Sequence, residues 1–215
     1  MNTPLQVKIC GITNPDDALA AIDAGADALG FNLYPGSRRH ILLGDLLPWL
    51  PSIGTRALRV AVMVDPSLEE IRRARPSFDV IQLHGEETPE LCIEAALDGP
   101  VWKAFPLAAG MEAASLAAFR ASAVLIDSAL PGAFGGTGSL IDLDRAATFA
   151  RASQGLRIWL SGGLDPSNVA AAVAKVRPYG VDVASGVEVA GDPRRKDSAR
   201  VRAFIAAAKR VAVAS

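Results

Sequence analysis

The chain has 215 residues, with 22 Lys and Arg against 23 Asp and Glu, for a formal net charge of −1. Half of its residues are hydrophobic, 6% are aromatic and 21% are charged, which excludes a disordered chain and supplies ample material for a buried core. The balanced charge argues against broad electrostatic attraction to nucleic acid or an anionic membrane.

Short apolar runs alternate with helix-like segments along the whole chain. The first run, Leu5 to Ile9, precedes Asn14-Pro15-Asp16-Asp17, where an Asn cap and a first-turn Pro predict a helix that stops at Gly25. Ala26 to Phe31 follows as a buried strand. Pro48 and Pro51 confine any helix in HILLGDLLPWLPSIG to a short piece. Leu58 to Val64 leads into Asp65-Pro66-Ser67 and a helix with Glu69 and Glu70 in its first turn. Phe78 to Leu83 precedes a helix entered through Thr88-Pro89-Glu90. Pro100 to Phe105 precedes an Ala-rich helix around Met111 to Phe119. Ser122 to Asp127 precedes a Gly-rich loop and a helix near Leu143 to Ala152. Leu156 to Ser161 precedes Asp165-Pro166-Ser167 and another helix. Gly180 to Ser185 precedes the final helix, Asp197 to Val211.

The runs are continuously apolar, as in parallel strands covered on both faces. About eight such units without a dividing linker favour one domain, 1–215, folded as an α/β (β/α)8 barrel, over an open doubly wound sheet. No apolar run approaches the roughly 20 residues of a membrane helix, and MNTPLQVK has no signal-peptide apolar region. Two cysteines, Cys10 and Cys92, cannot build a disulfide framework, and no CxxC or Cys/His cluster predicts a metal. The expectation is a cytoplasmic enzyme or binding domain in a reducing compartment.

Barrel active sites lie at the C-terminal strand ends, so polar and glycine-rich residues should follow the apolar runs. Cys10-Gly11-Ile12-Thr13, Tyr34 to Arg39, His84-Gly85-Glu86, Asp127-Ser128, Gly135 to Gly138, Ser161-Gly162-Gly163 and Ser185 to Glu188 do follow them. The loops after the last two strands are the usual phosphate place. Gly162, Gly163, Ser185 and Gly186 leave backbone N–H groups open to a phosphate dianion, although glycines there also serve simple tight turns. Cys10 and Asp127, on the first and sixth strands, would shuttle protons across a small sugar. A lone cysteine also serves as a small buried hydrophobe, and Asp127 as a cap for the next loop. Arg39 would grip a substrate carboxylate in bidentate fashion, with Arg38 beside it as an alternative. His84 would line the mouth, and Cys92 reads as core.

Together KICGIT (Lys8 to Thr13), GADALGFNLYPGSRRHI (Gly25 to Ile41), DVIQLHGEE (Asp79 to Glu87), LIDSALPGAFGGTG (Leu125 to Gly138), LSGGLDPSNV (Leu160 to Val169) and VDVASGVE (Val181 to Glu188) resemble the phosphoribosylanthranilate isomerases of tryptophan biosynthesis. A shortened echo of that family's terminal Lys-Asp stands at Lys196-Asp197. The resemblance implies an Amadori rearrangement without metal or cofactor. It puts the general base on Cys10, the general acid on Asp127 and the carboxylate-binding arginine on Arg39. It puts the phosphate cradle on Gly162, Gly163, Ser185 and Gly186, with help from Gly136, and His84 and Asp182 on the same mouth. The implied partner is a phosphorylated small molecule, with no nucleic acid and no membrane, and the chain a monomer or homodimer.

The chain departs from the family at Ser139 to Leu143, where an aromatic and Asp-Trp are common, and at Asn32, Arg38 and Ala61. Gly191 to Arg195 lengthens the last connection. An indole-glycerol-phosphate synthase on the same scaffold would need catalytic lysines and glutamates at strand ends. Lys8 and Lys103 supply that set only incompletely.

Overall fold

Each of the eight apolar runs forms a strand, and the strands pair in parallel, in chain order, until the last returns to the first. They are β1 (Gln6–Cys10), β2 (Ala28–Asn32), β3 (Leu58–Met63), β4 (Val80–Leu83), β5 (Val101–Pro106), β6 (Ala123–Asp127), β7 (Ile158–Leu160) and β8 (Gly180–Val183). The computed structural model describes residues 4–108, 111–128, 140–153 and 155–213. The helices are α1 (Pro15–Asp23), α2 (Leu43–Leu46), α3 (Leu68–Ala74), α4 (Pro89–Ala96), α5 (Ala113–Leu116), α6 (Leu143–Ala152), α7 (Val169–Val176) and α8 (Ser198–Val213). The result is the expected single-domain (β/α)8 barrel.

Local chemistry accounts for the helix starts. The Asn14 side chain accepts from Asp17 N–H, Thr88 from Leu91 N–H, and Ser67 forms a reciprocal capping box with Glu70. Pro48 and Pro51 limit the second helical segment to α2 and a 3-10 turn at Leu50–Ile53. The Ala-rich segment is shorter than its composition suggests. Helix α5 covers only Ala113–Leu116, because Glu112 gives it no side-chain cap and a 3-10 turn then ends at Arg120 in the left-handed region. Leu116 is its one buried residue, so little apolar area holds it down.

Alternate residues of each strand divide between two cores. Val7, Ile9, Leu29, Phe31, Ile81, Ile126, Leu160 and Val181 pack outward among the helices. Ala28, Val60, Val80, Trp102, Ala104, Ala123, Leu125 and Trp159 fill the barrel floor, with the two indoles 4.7 Å apart. Gly180 makes room for this stack, since a Cβ there would stand 2.6 Å from Trp159 Cε3. Above the floor, Lys8 of β1 lies in register with Asp182 of β8 and bonds it at 2.9 Å across the seam that closes the barrel.

After β8 the chain makes a hairpin that the turn-rich Gly191 to Arg195 did not announce, β9 (Glu188–Val189) against β10 (Asp192–Lys196). It is tied down at several points. Lys196 N–H donates to buried Asp17 at 2.8 Å, Thr13 donates to Arg194 O, and Arg194 donates to His40 O at 2.6 Å. Among the described residues, no helix is long and apolar enough to cross a membrane.

Two stability changes test this interior. Gly180→Ala overpacks the indole stack and should cost about 1–3 kcal/mol, read as a lower urea midpoint with an unchanged slope. Lys8→Met strands the Asp182 carboxylate and should cost about 3–5 kcal/mol. Lys8→Met with Asp182→Asn should recover most of that loss in the same titration. A double variant as unstable as the single would refute the pairing account.

Candidate active site

Strand parity assembles the mouth of the barrel. Residues in step with the floor residues of each strand point inward, and one step higher these positions hold Cys10, Gln82, His84, Asp127, Ser161 and Asp182. Cys10 therefore ends β1 facing the axis, and Asp127 ends β6 facing it from three strands away.

Cys10 is surrounded by charge. Its sulfur and Lys8 Nζ press on the same face of Gly30, 2.8 and 3.1 Å from where a Cβ would stand. Asp182, expected among the substrate-binding residues, has its Oδ1 engaged by Lys8. The Arg39 side chain folds across Gly11, whose φ of +76° and lack of Cβ give the arginine its space. Arg39 Nε donates to Glu188 Oε1 at 2.5 Å, and Lys196 Nζ reaches the same oxygen at 3.3 Å. Arg39 is 7% exposed whereas Arg38 is exposed, so the structure separates the two arginines. Arg39 Nη2 is buried with no hydrogen-bond partner among the described residues. Burial, with the Asp182 carboxylate, pushes the Cys10 thiol above its ordinary value, and Lys8 and Lys196 offset part of that rise. Burial also opposes the Lys8 charge, but Asp182 and Cys10 carry that ammonium above its ordinary value. In Lys196 burial prevails and lowers it.

Across the mouth, His84 Nε2 stands 3.6 Å from Asp127 Oδ2, and Gln82 Nε2 lies 3.4 Å from His84 Nδ1. Asp127 is 5% exposed, and the Ser128 hydroxyl donates to it at 3.4 Å. A latch beneath this side keeps the His84 loop in place. Buried Glu87 accepts from the N–H groups of Asp65 and Gly85 at 3.0 Å and pairs with Lys103 at 3.0 Å. Lys103 also donates to the carbonyls of Gly85 and Ala104, each at 2.8 Å. It shares the helix-facing parity of Val101 and is thereby removed from the mouth, which takes away one lysine that the synthase alternative required.

Between the two sides lies a cavity lined by Asp127, Gly162, Gly163, Asp182 and Ser185 among others. Gly162 and Gly163 have φ of +98° and +64°, and a Cβ on Gly162 would stand 2.6 Å from Ser128 N. Their N–H groups donate to no backbone carbonyl among the described residues. A Cβ on Gly186 would collide with the Leu164 carbonyl. The loop after β8 opens with a 3-10 turn at Ser185–Val187, whereas α7 begins only at Val169, so the shorter turn stands nearer the cavity. Gly136 lies outside the described residues. Among the described residues, no group of three His, Cys, Asp or Glu is placed to hold a metal ion.

Sequence reasoning missed the roles of Lys8, Glu188 and Lys196 around Cys10 and of Glu87 under the opposite loop. One signal was available: a lysine at an inward position of an apolar strand, two residues before Cys10, calls for a buried carboxylate partner.

A family model described as N-(5'phosphoribosyl)anthranilate (PRA) isomerase matches residues 7–207. An N-(5'-phosphoribosyl)anthranilate isomerase of Citrifermentans bemidjiense is 44% identical over 97% of this chain and 98% of its own length. The crystal structure of phosphoribosyl anthranilate isomerase from Thermus thermophilus superposes with a TM-score of 0.84, at 38% identity, over 94% of this chain and 98% of that one. Another solved phosphoribosyl anthranilate isomerase, in complex with reduced 1-(o-carboxyphenylamino)-1-deoxyribulose 5-phosphate, superposes with a TM-score of 0.80 at 34% identity, over 95% of this chain and 98% of that one. The barrel, its inward polar rim and these matches agree: the chain belongs to the phosphoribosylanthranilate isomerase family.

Proposed function

We propose that the chain catalyses the Amadori rearrangement of N-(5'-phosphoribosyl)anthranilate to 1-(2-carboxyphenylamino)-1-deoxyribulose 5-phosphate in tryptophan biosynthesis. The observation that carries this reading is the arc from β6 to β1. Asp127, the glycine loops after β7 and β8, and Cys10 succeed one another on neighbouring strands around one rim. A sugar phosphate held by the N–H groups of Gly162, Gly163, Ser185 and Gly186 has its ring between a carboxyl group on one side and a thiol on the other. With two unpaired cysteines and a thiol at the centre of the chemistry, the reading places the enzyme in the reducing cytoplasm.

The steps balance without an external reactant. Asp127, as the carboxylic acid, gives its proton to the furanose ring oxygen. The C1–O bond breaks, and the anilino nitrogen takes up the electron deficiency as an iminium. Cys10, as the thiolate, removes the proton from C2, and the C–H electrons neutralise the iminium to leave an enolamine. Tautomerisation returns a proton to C1 and leaves a ketone at C2. His84, 3.6 Å from Asp127, steadies the carboxyl group. Arg39 supports carboxylate recognition through its buried, unpartnered Nη2, and Glu188 keeps the guanidinium in that orientation. Asp182 lines the same cavity with its Oδ1 held by Lys8, which fixes the carboxylate at the substrate's edge.

Cys10→Ala and Asp127→Asn should each lower kcat by about 10²–10⁴ with the melting temperature nearly unchanged, and neither should restore growth to a tryptophan auxotroph lacking the isomerase. Near-normal turnover by folded Cys10→Ala would remove the thiol from the mechanism. Arg39→Met should raise KM by about tenfold or more, with a smaller fall in kcat. An equal KM for a substrate analogue lacking the ring carboxylate, in wild type and variant, would support the assignment. A variant that discriminates the two substrates as wild type does would overturn it.

A further inference from the structure

The charged groups around Cys10 form two linked clusters whose signs do not cancel. Lys8 of β1 pairs with Asp182 of β8. Arg39, from the loop after β2, and Lys196 of β10 share the single carboxylate of Glu188 at the start of β9. Three cations thus face two carboxylates, and Lys8, Arg39, Asp182 and Lys196 are all buried. An excess positive charge in a dry site is expensive unless an anion closes it. The Cys10 sulfur presses on the same glycine as Lys8 Nζ, the next residue, Gly11, carries the Arg39 side chain, and Lys196 Nζ joins that group through Glu188 and the Ala184 carbonyl. On the opposite rim His84 and Asp127 face each other.

From this arrangement we infer that Lys196, brought over the mouth by the β9–β10 hairpin, is a positioning residue that stabilises the Cys10 thiolate, with Lys8 supporting it from below. The inference deepens the proposed function and rests on Cys10 being the base. The hairpin explains how so long a side chain becomes fixed. The Lys196 backbone is tied to Asp17, its Nζ donates to Ala184 O at 3.2 Å and meets Glu188, and its side chain is 1% exposed. An ammonium held this way has lost the water that would otherwise screen it. Arg39 keeps Glu188 paired when Lys196 is changed, so removing the ammonium leaves no orphan carboxylate.

The direct test is the pH titration of the Cys10 13Cβ resonance, assigned by its loss in Cys10→Ala. Cys92 does not interfere at neutral pH, because burial pushes its thiol up to about 11. Loss of a neighbouring cation disfavours the anion, so Lys196→Met should raise the Cys10 midpoint by about one unit, leaving about tenfold less thiolate at pH 7. Lys196→Arg should restore most of it. The ascending limb of kcat/KM against pH should move upward in step, and activity should recover at high pH. The double variant Lys8→Met with Asp182→Asn removes the lower ammonium together with its carboxylate and should move the midpoint in the same direction. An unmoved midpoint in folded Lys196→Met, or activity lowered equally at every pH, would overturn the inference and leave Cys10 as the base. Full turnover by Cys10→Ala would instead overturn the base assignment, whatever the titration shows.

Discussion

Lys8 and Asp182 meet on the seam where the last strand of the barrel joins the first, and much of the upper interior is arranged around that pair. Two opposite charges taken out of water gain little net stability, and well-packed apolar side chains of similar volume would often do as well or better. The floor of the same barrel shows that alternative, with Trp102 and Trp159 stacked among alanines and valines. The ion pair therefore makes more sense as a boundary. Below it the interior is lined by apolar side chains. At its level and above it every inward residue of β1, β4, β6 and β8 is polar or a thiol, which turns the top of a packed core into a place for chemistry.

The rim above that boundary divides into two arcs with different duties. From β6 to β1 the strand ends carry the proposed acid, two glycine loops and the proposed base. From β2 to β5 they carry Arg39, His84 and the groups that hold the His84 loop. Glu87 collects two backbone N–H groups and Lys103, which ties the loop after β4 to that after β3. The hairpin after β8 joins the arcs, reaching Asp17 and Thr13 after β1 and His40 after β2. Rigidity at this mouth comes from charged and backbone hydrogen bonds and owes little to apolar area, as befits a region that has to admit a charged ligand.

The barrel was legible because its signals are local. Buried parallel strands read as continuous apolar runs, and Asn14, Ser67 and Thr88 announce the helices that follow. Cys10, His84, Asp127, Gly162 and Ser185 could be placed on one mouth because each directly follows such a run, and barrel geometry sends all those ends to one face. What could not be read depends on partners far apart in the chain. Asp182 reads from the sequence as one residue of the mouth, and only the register of β8 on β1 shows that it also binds Lys8, 174 residues away. Arg38 and Arg39 are equivalent as letters. Glu188 distinguishes them, and it lies beyond six further strands. Gly191 to Arg195 has the composition of a loop, but its backbone pairs because Asp17 and Thr13 hold its far end.

The sign of the charge around position 10 bears on how a buried thiol would serve as the proposed base. A thiol begins near 8.5, burial and the Asp182 carboxylate raise Cys10 above its ordinary value, and the two ammonium groups of Lys8 and Lys196 offset part of that rise. Burial and positive charge are each unfavourable alone, one to the anion and the other to the fold. Placed together they compensate, and the compensation is lost when either lysine leaves. The barrel meets the cost of three cations with two carboxylates and leaves the third for the thiolate proposed to take the proton.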